Sequence, residues 1–241
     1  MRVIDREIGA ALSEAARKVG QSRSVEEMLE TIVHTAQMSL PGFEHVGIST
    51  IDDRGNIETR AQTGKLVKQL DDLQYGLGEG PCMEALRAGR VVEAPHIRHD
   101  QRWPRYVPAA VQLGLKSQFA VQLYLDDEGT IGGLNIYSTD TTQVTEENVA
   151  TAEVFATHAA LTLGKVRQLD QLRDAIETRQ LIGEAVGLLM ANYQLDPTRA
   201  FAFLARVSSQ RNVKVRDIAG QMVQEHINQI PRSDEEVTPL L

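Results

Sequence analysis

Residues 179–220 read RQLIGEAVGLLMANYQLDPTRAFAFLARVSSQRNVKVRDIAG. From Ile182 to Met190 the only charge is Glu184, so this stretch is expected to be buried or paired. Asp196-Pro197 has the form of a helix start, with Asp as N-cap and Pro at the first helical position. Four cations then fall within 11 residues (Arg206, Arg211, Lys214 and Arg216) with no acid among them. The expectation is a small apolar helical core, a short second helix, and a third helix that opens with bases. Such a local basic corner suits a nucleic-acid reader.

The rest of the chain is different. Its 241 residues carry a formal net charge of −8 and a pI near 5.3. That argues against broad polyanion binding by the whole surface and leaves room for a basic site on one domain. Hydrophobic residues make up 42% and charged residues 24%, ordinary for a globular chain. The single cysteine, Cys82, excludes an intramolecular disulfide. No apolar run approaches the roughly 20 residues that span a bilayer. The N-terminus MRVIDREIGAALSEAARKV is charged and amphipathic, without a secretory core. The expectation is a cytoplasmic protein with no membrane partner.

Along the chain, residues 1–20 carry a helical apolar spacing. Ser24-Val-Glu-Glu27 is a capping box, opening a helix to about Met38. The period then changes to strands. Val46, Ile48 and Thr50 alternate, Asp52 to Gly55 turns, and Ile57 to Thr63 returns. Residues 76–81 hold three glycines and a proline and read as a loop. A short helix from Cys82, a strand at Val91-Val92, a loop at 100–104 and a helix to Leu113 follow. Phe119, Val121 and Leu123 alternate, Asp126 to Gly129 turns, and Ile131 to Ser138 returns. Sequential strands of this kind favour an antiparallel sheet flanked by helices, an α+β fold. Thr145 caps a helix that runs to about Met190. Within it Leu169, Leu172 and Ile176 follow three-then-four spacing, about two heptads. This is read as a parallel dimer stalk joining two domains; the alternative is an amphipathic helix lying on its own domain. Asn212 is expected to cap the last helix, about Lys214 to Ile227. The tail from Pro231 is acidic.

Arg179-x-x-Ile182-Gly183-x-Ala185-x-Gly187-Leu-Leu-Met190, then Ala200-Phe201-x-x-Leu204, Ser208, Asn212 and Val215-Arg216-Asp217-Ile218-Ala219, resemble the ANTAR domain. The resemblance spans about residues 170–226. It implies a coiled-coil-led three-helix module that binds RNA and regulates transcription termination. Gly183, Ala185 and Gly187 are expected to admit a close neighbouring helix, since each helical glycine costs about 1 kcal/mol against alanine. Leu188, Leu189, Met190, Phe201, Phe203 and Leu204 are expected to fill the core. The RNA-contact candidates are Arg179, Arg206, Ser208, Asn212, Lys214 and Arg216. A solvated face with local salt bridges, such as Arg216 with Asp217, is the alternative. The family often has Gln and Lys where this chain has Glu184 and Val186. Residues 173–230 hold seven bases and six acids, so geometry must carry specificity more than bulk charge.

Residues 24–165 resemble a GAF sensor domain. The matching pieces are Gly78-Glu-Gly-Pro-Cys82-x-Glu84-Ala85, Asp100-x-Arg102-Trp103-Pro104, Gly114-x-x-Ser117 and Gly132-Gly-Leu-Asn135-x-Tyr137-Ser138. The resemblance implies a small molecule held between sheet and loops. Trp103, with Tyr106 and Phe119 near it in the fold, is expected either to wall that pocket or to pin a loop to the core. Cys82, at a helix start, is either a redox-sensitive thiol or a packing residue. No cofactor is specified. His96-x-x-His99 lacks the further ligands of a zinc site, and no catalytic constellation is complete, so no enzyme is expected. The expected domains are a sensor at 1–165, a stalk and RNA-binding head at 166–230, and an acidic tail at 231–241. The expected whole is a homodimeric antitermination regulator that binds hairpin loops in leader RNA and senses an unknown small-molecule ligand or redox state. A DNA-binding regulator and an oligomerising sensor acting on a protein partner are the alternatives.

Overall fold

The computed structural model describes residues 24–52, 54–126 and 129–229. The expected first helix (1–20) and acidic tail (231–241) lie outside the described residues, as do parts of the turns at 52–55 and 126–129. The chain divides into two compact units, residues 1–167 and 168–241.

The first unit is built on five strands: β1 (His45–Ile51), β2 (Ile57–Gln62), β3 (Val91–Ala94), β4 (Ser117–Leu125) and β5 (Gly129–Ser138). Their order is β2-β1-β5-β4-β3, and every neighbouring pair is antiparallel. Alternation along each strand gives the sheet two packed faces. One face carries Val46, Ile48, Phe119, Val121, Leu134 and Ile136. It packs against α1 (Val25–Ser39) and against Ala152, Phe155 and Ala159 of the long helix α5 (Glu146–Tyr193). The other face is covered by α2 (Lys65–Leu77), α3 (Pro81–Ala88) and α4 (Tyr106–Gln112). Gly47 is what lets α2 approach, since a Cβ there would stand 2.5 Å from Val67 Cγ1.

Helix ends follow local chemistry. Ser24 Oγ accepts from the Glu27 amide at 3.2 Å and opens α1. Thr145 Oγ1 accepts from the Asn148 amide at 3.2 Å and opens α5. The α2 helix was not expected: its buried positions Val67, Leu70, Asp71 and Gln74 keep helical spacing, but two of the four are polar.

The second unit holds the remainder of α5, then α6 (Pro197–Arg211) and α7 (Val215–Gln229). Asp196 caps α6, accepting from the Arg199 amide at 2.9 Å, with Pro197 behind it. The core is small: Ala185, Leu189, Ala200, Leu204, Ile218 and Ala219. Met190 and Phe203 pack at its rim, whereas Phe201 is exposed, against expectation. The glycines also differ from expectation. Ala185 is buried, but a Cβ at Gly183 or Gly187 would meet nothing within 4 Å; the close approach is instead at Gly220, against Leu181. Asn212 does not cap α7. It ends α6 in the left-handed conformation (φ 51°, ψ 41°), which asparagine tolerates, and its amide donates to the Ser208 carbonyl. The Lys214 carbonyl takes the first α7 bonds, from Asp217 at 3.0 Å and Ile218 at 3.2 Å.

Candidate functional site

The helix-covered face that carries α2, α3 and α4 has a polar centre. Asp71 projects from α2 and is fully buried. Its carboxylate accepts from Thr59 Oγ1 at 2.7 Å, from Asn135 Nδ2 at 3.0 Å and from the Tyr137 hydroxyl. Thr59 reaches it because of a bulge. Ile48 pairs with Ala61 but Ser49 pairs with Thr59, so the strand parity flips and Thr59 turns toward α2 while Ala61 stays in the opposite core.

A chain of donors ends on this carboxylate. The Tyr106 hydroxyl donates to Gln118 Oε1 at 2.6 Å, and Gln118 Nε2 to Gln74 Oε1 at 3.2 Å. Gln74 Nε2 donates to the Tyr137 hydroxyl at 2.9 Å, and Tyr137 donates to Asp71. Gln74 Oε1 also accepts the Cys82 amide at 2.9 Å, so it caps the start of α3 from across the core. Beside this chain, Ser49 Oγ donates to the Gly133 carbonyl at 3.2 Å and lies 3.7 Å from Cys82 Sγ. Asn135 Oδ1 is buried without a hydrogen-bond partner. A Cβ at Gly133 would stand between Cys82 Sγ, Ser49 Oγ and Asn135 Oδ1 at 3.5–3.7 Å. The centre is therefore rich in acceptors and holds one carboxylate that no cation among the described residues pairs with.

Burial sets its acid–base chemistry. It raises Asp71 to about 6, against the hydrogen bonds from Thr59, Tyr137, Tyr75 and Asn135 that pull the other way. Burial, then the Asp71 charge, pushes the Cys82 thiol up to about 12. Burial likewise raises Tyr106 and Tyr137. The rim is held by ion pairs. Glu79 binds Arg105 Nε at 2.6 Å and the Arg105 amide at 2.9 Å; that pairing holds its carboxyl below the usual range. Arg102 lies over the Trp103 ring at 4.2 Å, held by Asp100 at 2.7 Å.

Of the expected ligand residues, Cys82, Trp103 and Tyr106 share this core. Cys82 and Tyr106 join the polar network; Trp103 packs beside it. Phe119 does not belong with them. It faces the opposite core, edge-on to Phe43 at 5.0 Å, because strand alternation sends Gln118 and Ala120 to the polar side. Sequence reasoning missed Asp71, Gln74, Thr59 and Gln118, and quoted Asn135 and Tyr137 only as motif positions. Of the two readings of Cys82 the geometry favours the packing residue: Gln74 caps the helix start, and burial pushes the thiol up. Among the described residues no group of three or more His, Cys, Asp or Glu side chains is placed to hold a metal ion.

The expected RNA contacts fall on the second unit. Arg179, Arg206 and Lys214 are exposed, and among the described residues their side chains have no carboxylate partner; Arg211 is alike. Arg216 differs: its Nε lies 3.3 Å from Asp217 Oδ1, in a groove also lined by Asp174 and Glu177. Ser208 is structural, its hydroxyl donating to the Val213 carbonyl at 2.6 Å. Asn212 is the α6 cap. Glu184 is exposed and accepts from Gln180 Nε2 at 2.9 Å, and Val186 packs at the core rim. Leu169, Leu172 and Ile176 do not lie on their own unit; they are 48%, 57% and 66% exposed.

The family model for GAF domains matches residues 22–163, and that for ANTAR domains matches residues 170–223. No curated protein matches the chain. Solved structures share the fold of the first unit. The GAF domain of a phosphoenolpyruvate-protein phosphotransferase from Coxiella burnetii is 18% identical, with a TM-score of 0.54 over 68% of this chain and 96% of that one. The corresponding domain from Acinetobacter is 13% identical, with a TM-score of 0.54 over 68% and 98%. Free methionine-R-sulfoxide reductase from Neisseria meningitidis, in complex with its substrate, is 18% identical, with a TM-score of 0.54 over 67% and 91%. At these identities the likeness is one of fold. No helix among the described residues is long and apolar enough to cross a membrane.

Two outcomes follow from the buried centre. A carboxyl raised from 3.8 unfolded to about 6 folded favours the folded state at low pH, and that contribution is lost as pH rises through about 6. Its span corresponds to about 3 kcal/mol. Measured by denaturant unfolding, the stability of wild type relative to Asp71→Asn falls between pH 4 and pH 7; a constant difference contradicts the assignment. Iodoacetamide at neutral pH leaves native Cys82 unmodified and labels it only after unfolding, as read by mass spectrometry.

Proposed function

We propose, from the premise that the chain belongs to the GAF domain family and carries an ANTAR domain behind it, that it is a signal-responsive RNA-binding regulator of transcription termination. GAF and ANTAR are both regulatory domains. The observation that carries the RNA reading is the set of four exposed cations on the second unit, Arg179, Arg206, Arg211 and Lys214, without a carboxylate partner among the described residues in a chain of net charge −8. Unpaired cations on one small module supply phosphate neutralisation without attracting polyanions to the whole surface. The RNA element is hairpin loops in a leader transcript, bound so that a terminator does not form. A DNA-reading role fits less well. The N-terminal turns of α7 would have to meet base edges, and its one arginine there is paired with Asp217.

The protein acts as a homodimer in this reading. Leu169, Leu172, Ile176, Gly183 and Gly187 recur at three, four and seven residues along α5, so they share one helix face. That face is apolar and exposed, and its glycines leave room for a second helix. A parallel pair of α5 helices covers the leucines and explains glycines that are otherwise unfavourable in a helix.

The sensing step is small-molecule binding at the polar centre around Asp71, not thiol oxidation. A ligand there exchanges its own groups for those of Ser49, Asn135 and Tyr137. The last two sit on β5, whose alternate residues Leu134 and Ile136 pack into the core with Phe155 and Ala159 of α5. A shift of β5 is thus felt by the stalk helix, and pairing of α5 alters the spacing of the two RNA-binding heads.

Binding of a tandem-hairpin RNA, titrated over a range of salt, tests the RNA reading. Arg179→Gln with Lys214→Gln lowers affinity and flattens the slope of log affinity against log salt by about 0.7 to 0.9 per lost phosphate contact. Equal affinity and slope in wild type and variant sink it. Sedimentation tests the dimer separately: Leu172→Glu with Ile176→Glu yields a monomer that keeps its helical circular dichroism, and a persisting dimer places the interface elsewhere.

A further inference from the structure

The second unit carries a surface feature that the cation pattern does not describe. Tyr193 ends α5 and is 66% exposed. Its ring stacks on that of Phe203 in α6, with centroids 6.4 Å apart and planes 25° from parallel. The guanidinium carbon of Arg206, three residues along α6, lies 5.6 Å from the centre of the Phe203 ring. Arg206 has no carboxylate or hydrogen-bond partner among the described residues. Phe203 packs only at the rim of the small core.

This is an unusual place for two rings. Buried aromatics stabilise by area, but a tyrosine that is two-thirds exposed and stacked on one side leaves its other side to solvent. A free guanidinium beside the stack adds a positive planar group within cation–π range. Together they match a flat, apolar-faced group joined to a negative charge. A nucleotide in an unpaired loop has that chemistry: its base stacks on aromatic or guanidinium planes, and its phosphate meets the cation. The unit's groove lined by Asp174, Glu177, Arg216 and Asp217 is net acidic and disfavours the same ligand.

We propose that Tyr193, Phe203 and Arg206 form a stacking platform for an unpaired nucleobase of the bound RNA, with Arg206 neutralising the adjoining phosphate. The proposal rests on the RNA-binding reading given above. It adds a contact that requires an unpaired base and tolerates its identity, because every base has a π face. Loop against duplex is therefore distinguished here, while sequence is read elsewhere.

The test uses the full-length protein and a pool of RNA hairpins with randomised loops, alongside the same stems joined as uninterrupted duplex. Tyr193→Ala weakens hairpin binding about 5- to 150-fold, the range for loss of one stacked base. Tyr193→Phe, which keeps the ring, retains wild-type affinity. A 2-aminopurine placed in a selected loop is quenched by wild type and not by Tyr193→Ala. Arg206→Gln, at an exposed position, lowers the salt slope by about 0.7 to 0.9 and serves should Tyr193→Ala lose its circular dichroism. If wild type binds the pool and Tyr193→Ala binds it equally, or if duplex binds as well as hairpin, the platform falls and the RNA reading stands. If wild type ignores the pool, as a module that docks a protein would, both fall.

Discussion

The sensor unit is organised around one constraint: the Asp71 carboxylate is taken out of water, and no cation among the described residues pairs with it. An isolated buried charge is costly unless hydrogen bonds replace its hydration. Here the replacements come from three directions, Thr59 on β2, Asn135 and Tyr137 on β5, and through Tyr137 the glutamines of α2 and β4. Each donor depends on a backbone detail. The bulge in the β1–β2 pairing turns Thr59 inward, and Gly47 lets α2 come close enough for Asp71 to reach the sheet. The donors run in one sense, Tyr106 to Gln118 to Gln74 to Tyr137 to Asp71. Such a polarised chain strengthens each member and is sensitive to any group that enters it.

This constraint also explains what the sequence made legible. The strands were readable because alternating apolar residues face α1 and α5, Phe119, Val121 and Leu123 on β4 and Leu134 and Ile136 on β5. Helix α6 was readable from Asp196-Pro197, a local signal. Helix α2 was not. Its inward face spaces Val67, Leu70, Asp71 and Gln74 as a helix should, but the two polar residues erase the amphipathic stripe that marks a helix. The same two residues are the heart of the candidate site. Thr59 was hidden by parity, which only the pairing register reveals, and Phe119 was misplaced because nearness to Trp103 and Tyr106 in the fold does not say which sheet face a residue takes. Asn212 was misread because asparagine caps either end of a helix, and only φ distinguishes them.

The second unit obeys a different economy. Among the described residues only six form its buried core, so most of its side chains answer to solvent or to partners. Its cations sort into two kinds. Arg199 and Arg216 lie 3.3 Å from Asp196 and Asp217, whereas among the described residues Arg179, Arg206, Arg211 and Lys214 meet no carboxylate. The near balance of charge in this unit therefore conceals a division between locally neutralised and available bases. Val186 extends the same logic. Packed at the core rim, it adds to cohesion at a position where the resemblance led one to look for a cation.

The polar centre and the apolar core meet in strand β5. Its odd-numbered residues Gly133, Asn135 and Tyr137 face the polar centre, and its even-numbered residues Leu134 and Ile136 face Phe155 and Ala159 of α5. A strand with both faces buried transmits displacement because neither core has slack at native packing density. Gly132 pins the strand further, since a Cβ there would collide with the Ser49 carbonyl. Ser49 is itself part of the polar centre, donating to Gly133 and lying beside Cys82. A ligand that takes over the bond from Ser49 or satisfies the orphaned Asn135 Oδ1 thereby changes the forces on β5 at two adjacent points. In the sensing step proposed above, the mechanical input to α5 arises on the sheet face opposite the ligand, so the packing residues of α5 respond without touching it.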